Sequence, residues 1–87
     1  MKYKTVPGVI MTSVCGQHYL ASPTEIIKIN DTAAFCWEIL KQGATQEELA
    51  ARICEYYEAA DTDVINRDVH KLIGTLLTKR LIVRCSQ

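Results

Sequence analysis

Four cysteines and two histidines are the residues of this chain best suited to metal or nucleophilic chemistry. Cys15, Cys36, Cys54 and Cys85 are spaced by 21, 18 and 31 positions, and His18 and His70 lie far apart. Zinc sites of the finger or ribbon kind draw their ligands in close pairs, and no C-x-x-C pair exists here, so no metal is expected. A disulfide framework belongs to exported proteins. Met1-Lys2-Tyr3-Lys4 is not followed by an apolar stretch of signal-peptide type, so the thiols are expected to be reduced. Cys36 and Cys54 read as small apolar core residues. Cys15 and His18 flank one tight turn and are the only local Cys/His pair, but a solvated hairpin accounts for them. Glu47-Glu48 and Glu55/Glu58 fall on the outer side of a helix, where solvation explains the charge. Asn30-Asp31-Thr32 matches a glycosylation sequon but reads better as a helix cap. Phosphate-binding loops, the nucleophile elbow and H-E-x-x-H are all missing from the sequence. The expectation is a non-catalytic binding module that needs no cofactor.

The elements that must position a binding surface fit one domain spanning residues 1–87. A chain of this length buries only about 60–65% of the surface its unfolded form exposes. With 48% hydrophobic and 23% charged residues the composition is globular rather than disordered. Ten Lys and Arg balance ten Asp and Glu, which removes the global field of a non-specific nucleic-acid binder. The longest apolar run, Ala33 to Trp37, is too short to span a membrane. A cytoplasmic location is expected, with no membrane partner.

Val9 to Val14 is β-branched and lies between Pro7-Gly8 and Cys15-Gly16-Gln17, with Gly16 suited to a hairpin. His18–Ala21 is the return strand, and Ser22-Pro23-Thr24 a second turn. Glu25–Ile29 is a third strand, with Ile27 and Ile29 on one face and Ile26 and Lys28 on the other. After Asn30, an N-cap, the period becomes helical through Ala33, Cys36, Trp37 and Leu40, ending near Gly43. Thr45 to Glu48 is a capping box opening a second helix with Leu49, Ile53, Cys54 and Tyr57 on its inner face. Glu48 and Arg52 are spaced to pair on its outer side. A break over 59–63 offers Asp61, Thr62 and Asp63 as caps. The third helix runs from about Val64 to Lys79 with Ile65, Val69, Leu72, Ile73, Leu76 and Leu77 on one face. Leu81-Ile82-Val83 can close as a short strand. The class is α+β: a three-stranded antiparallel meander followed by three helices.

Two surfaces are free to bind: the third helix, and the edge of Glu25–Ile29, whose backbone groups can accept another chain. The stretch from Ile27 to Ala34, Ile-Lys-Ile-Asn-Asp-Thr-Ala-Ala, resembles the "v-x-L-N-x-T-A" signature of PqqD-like proteins. The match continues through Trp37, Leu40, Gly43-Ala44-Thr45 and Glu48-Leu49. It resumes at Asp68-Val69, Leu72, Leu76 and Leu81-Ile82, and Val14 to Ala21 looks like the family's N-terminal part. The resemblance covers roughly residues 9 to 83, and it is the ordered series of motifs that is specific. Many members carry a Gly before the final apolar pair, where Arg80 stands here.

The resemblance implies a winged helix-turn-helix-like fold that binds the leader of a ribosomally made precursor peptide. It implies delivery of that peptide to a modifying enzyme, often a radical SAM protein. The leader would lie as a strand along the third strand, over a cleft facing the third helix. The implied site is Glu25, Ile26, Ile27, Lys28 and Ile29 on the strand. On the helix it takes Leu72 and Leu76 as floor and Asp68, Lys71, Thr75 and Lys79 as a polar seam. Two other readings compete. In a DNA-binding winged helix, Arg67, Lys71, Lys79 and Arg80 would meet phosphate, but Asp63 and Asp68 on the same helix repel it. A structural subunit of a larger synthase is the third.

Overall fold

A computed structural model describes residues 1–58 and 61–85. The chain runs β1 (Lys2–Thr5), β2 (Ile10–Val14), β3 (Gln17–Ala21), β4 (Ile26–Ile29), α1 (Asp31–Leu40), α2 (Gln46–Tyr57), α3 (Thr62–Thr78) and β5 (Ile82–Cys85). The meander expected from the sequence is the sheet β2-β3-β4, all antiparallel. The third expected strand is therefore β4, which begins at Ile26. Glu25 sits in the turn, its carbonyl accepting from Ser22 N–H at 2.9 Å.

Two consecutive residues with positive φ close the β2–β3 hairpin, Cys15 at 52° and Gly16 at 77°. That is the pattern of a turn whose twist matches the strands it joins. Only the glycine accepts it without steric cost, so Cys15 is held there by the strands.

The helices start where the caps predict. Asn30 Oδ1 accepts from Ala33 N–H at 2.8 Å. Thr45 and Glu48 form the full capping box: Thr45 Oγ1 accepts from Glu48 N–H at 3.0 Å, and the Glu48 carboxylate accepts from Thr45 N–H at 2.8 Å. That bond holds the Glu48 carboxyl below its usual range. It also occupies the group expected to pair with Arg52, and no Glu48–Arg52 ion pair forms. Of the break over 59–63, Ala59 and Ala60 fall outside the described residues, and Asp61 is the cap of α3.

α3 ends in a paired 6→1 and 5→2 arrangement: Leu81 N–H donates to Leu76 C=O at 2.9 Å and Arg80 N–H to Leu77 C=O at 3.0 Å. Arg80 adopts φ 60°, the left-handed position that favours glycine. The departure from the family pattern at this residue is thus a non-glycine in a glycine conformation.

The sequence reading missed β1, which pairs antiparallel with β5 from Lys2↔Cys85 to Thr5↔Ile82. Tyr3 adds two backbone bonds to Ala44, at 2.8 and 3.0 Å, and Gly43 turns the chain into that contact at φ 88°. Leu20, Cys36, Trp37, Leu40, Leu49, Ile53, Val69, Ile73, Leu76, Leu81 and Ile82 form the core. Cys36 is fully buried, and burial pushes its thiol pKa up to about 11. Cys54, expected in the core, is only half-buried, and Tyr57 is exposed on the end of α2. No helix among the described residues is long and apolar enough to cross a membrane.

Candidate functional site

Hydrogen bonding in an antiparallel pair alternates residue by residue. A two-residue hairpin is flanked by a bonded pair, here Val14 and Gln17. Stepping along β3 leaves His18 and Leu20 with their N–H and C=O groups toward β4, where they meet Ile29 and Ile27. The Ser22–Glu25 bond keeps the same alternation across the second turn. Ile26 and Lys28 therefore aim their backbone groups away from β3, along the free edge of the sheet. Their side chains are exposed, while Ile27 and Ile29 are half-buried and pack on the core. The edge thus carries free backbone bonds on a strand anchored by apolar contacts beneath it.

α3 runs antiparallel to β4 across the cleft. At one end Lys79 Nζ lies 3.9 Å from Glu25 Oε2, with the two side chains 40% and 44% exposed. Such an exposed pair is worth about 0–1 kcal/mol and opens at little cost. At the other end a cavity of about 510 Å³ separates Asn30 and Thr32 from Asp68, Lys71, Leu72 and Thr75. A second groove continues along α3 past Lys71, Thr75 and Lys79. The polar seam expected from the sequence is therefore brought together on one exposed face. Leu72 is half-buried and lines the cavity. Leu76 is 2% exposed, so it supports the cleft from within the core.

Sequence reasoning missed part of the cavity wall. Thr32, Ile53, Tyr57 and Ile65 line it, and Asn30 contributes beyond its capping role. The only sequence signal was their place at helix ends or on the inner helix stripes. β4 itself does not line this cavity, which opens from Asn30, directly after the strand.

His18 does not engage Cys15. Its Nδ1 lies 2.7 Å from Ser13 Oγ and its Nε2 2.9 Å from Asp31 Oδ1. Asp31 is 83% exposed, so the chain lacks the desolvation that makes such a relay reactive. It works as a strut that ties the hairpin to the first turn of α1.

A three-stranded antiparallel sheet with a free edge, three helices, and a mixed polar and apolar cavity opening just beyond that edge strand define an α+β winged helix-turn-helix class of domain. The model of the family "Coenzyme PQQ synthesis protein D (PqqD)" matches residues 17–82. The chain belongs to the PqqD family. No curated protein sequence matches it. One similar solved structure is TbiB1 in complex with the TbiA(beta) leader peptide. The two are 21% identical with a TM-score of 0.79, over 97% of this chain and 99% of that one. A second is the solution structure of the PqqD truncation of Methylobacterium extorquens PqqCD, described as a functional, stand-alone RiPP recognition element. It is 21% identical with a TM-score of 0.81, over 95% of this chain and 89% of that one. At these identities the likeness bears on the fold.

Proposed function

We propose that this protein is a non-catalytic recognition element. It captures the leader of a ribosomally synthesised precursor peptide as a strand added to β4 and presents it to a modifying enzyme of the radical SAM class. The observation that carries the reading is the free edge at Ile26 and Lys28, flanked by the approach of Glu25 to Lys79 at one end of the strand and by the α3 cavity that opens at Asn30 at the other. Family membership supports it, as does the TbiB1 structure, which holds a leader peptide on a similar fold.

Strand addition gives affinity through backbone bonds and specificity through pockets for alternate side chains. An added strand would set alternate side chains toward α3. There the cavity beside Leu72 and Tyr57 suits an apolar group, and Asp68, Lys71, Thr75 and Lys79 suit polar or charged ones. The Glu25–Lys79 pair would part to admit the chain.

The test is an NMR titration of the isotope-labelled protein with a synthetic leader of the precursor encoded beside it. Shift changes concentrated on Glu25–Ile29 and Asp68–Lys79, with smaller ones at the cavity residues Asn30, Thr32 and Tyr57, are expected, with low-micromolar or tighter affinity. A flat titration with a folded spectrum overturns the reading for that peptide. The enzyme partner is tested by whether precursor modification by the radical SAM protein falls when this protein is omitted.

A further inference from the structure

Net neutrality hides a strong segregation of charge. Between residues 29 and 66 stand eight acidic and two basic side chains, and the rest of the chain carries two acidic and eight basic. The acidic half comprises α1, α2 and the first turn of α3. On that half three aromatic rings meet. Phe35 stacks on Tyr56 with centroids 4.6 Å apart and planes at 27°. Tyr57 stands edge-on to both, at 6.0 Å from Phe35 and 4.9 Å from Tyr56. Tyr56 remains 66% exposed and Tyr57 44%, so two of the three rings stand largely open to a ligand.

These rings line an open cavity of about 450 Å³ together with Asp31 and Glu38. Asp31 spends Oδ1 on His18, and Glu38 is paired with Lys41 at 2.8 Å on the exposed surface. Asp31 Oδ2 has no partner among the described residues. Glu38 holds Lys41 with both oxygens, so Asp31 supplies the open carboxylate oxygen; exposed rings beside it match an organic cation, attracted by the ring quadrupole and by the negative charge together. Arginine fits better than lysine, because its flat guanidinium stacks on a ring while its N–H fork reaches a carboxylate.

We propose that the Phe35–Tyr56–Tyr57 cluster with Asp31 and Glu38 is a docking site for an arginine-bearing segment of a partner protein. It adjoins the leader cleft through Tyr57 but is argued from Phe35, Tyr56 and Asp31, none of which lines that cleft, and so does not depend on the leader reading. Tyr57 lines both cavities, so the two sites are neighbours.

The probes are two synthetic peptides, one alternating arginine with glycine and one with citrulline, the neutral isostere, in place of arginine. Each is titrated into the isotope-labelled protein. The arginine peptide is expected to shift the amides of Asp31, Phe35, Tyr56 and Tyr57. It should bind at least about fivefold tighter than the citrulline peptide. Tyr56→Leu removes no charge and, at an exposed position, should not disturb folding. It should weaken the arginine peptide about threefold, whereas loose attraction to acidic surface would be unaffected. Asp31→Asn should weaken it by a similar factor. Equal binding of the two peptides, or an arginine affinity that Tyr56→Leu leaves unchanged, overturns the proposal. Either failure leaves the leader reading standing, because that reading is scored on β4 and α3.

Discussion

A proline at position 28 separates the two roles of β4. Lys28 aims its N–H away from β3, whereas Ile27 and Ile29 hold the ladder through Leu20 and His18. Lys28→Pro therefore removes a donor from the free edge and no bond from the sheet. Proline is tolerated at such edge positions, and Ile27 before it is already extended. The stability cost should stay below about 2 kcal/mol, mostly from fitting φ to the ring. For the leader, one lost hydrogen bond costs about 0.5–1.5 kcal/mol, and the ring obstructs the approaching strand as well. Leader affinity should fall at least about tenfold, equivalent to about 1.4 kcal/mol. Lys28→Ala, which keeps the N–H, should bind within about twofold of the parent. Ile27→Pro, which removes a ladder donor and a side chain packed on the core, should be clearly less stable than Lys28→Pro and melt earlier. Calorimetric titration of the folded variants reads the affinities, and thermal melts read the stabilities. Two results would refute the reasoning: a folded Lys28→Pro protein that binds normally, or an alanine variant that weakens binding as much as the proline.

Other expectations follow from single contacts. Leu76→Ala empties a core position that is 2% exposed and should cost about 2–5 kcal/mol of stability. Leu72→Ala should cost less in a melt and more in leader affinity; equal melts for the two would be evidence against their assigned depths. Arg80→Gly relieves a left-handed non-glycine residue and should stabilise by up to about 1 kcal/mol in denaturant titration, with a loss of stability as the contrary result. The Glu48 carboxyl is held below its ordinary value of 4.5 chiefly by the Thr45 backbone N–H. The stability advantage over Glu48→Gln should be complete above that value and fade as pH falls through the lowered one; a pH-independent difference would contradict it. The Cys36 thiol has the opposite sign. Its pKa rises from 9.0 to about 11 on folding, so the unfolded chain ionises first and stability should decline as pH climbs from 9 toward 11. In the native state Cys15 should react with iodoacetamide while Cys36 stays protected, which mass spectrometry of the labelled chain reads directly.

What could be read from the sequence was whatever short-range chemistry decides. Asn30, Thr45 with Glu48, and Asp61 mark helix starts because a side chain three residues or fewer away satisfies an orphaned N–H. The alternation of Ile26 to Ile29 located the edge strand and its buried face. The terminal strand was expected from Leu81-Ile82-Val83, but its partner was not: Lys2–Thr5 carries no strong pattern alone, and its pairings, with β5 and at Ala44, are all distant in sequence. The same holds within the site. The Asp68–Lys79 seam follows from helical spacing, but the cavity wall of Thr32, Ile53, Tyr57 and Ile65 comes from three separate helices. His18 reaching Asp31, and Lys79 reaching Glu25, are products of packing that no local window contains.

The central claim, that a leader adds as a strand outside β4, is tested most directly by amide hydrogen exchange at four adjacent positions. In the free protein Ile27 and Ile29 should exchange slowly, and Ile26 and Lys28, aimed at solvent, should exchange fast. Saturating leader peptide should slow Ile26 and Lys28 by at least about tenfold and leave the other two little changed. If Ile26 and Lys28 continue to exchange fast in a complex that titration shows to be saturated, the leader does not pair with this edge, and the account fails.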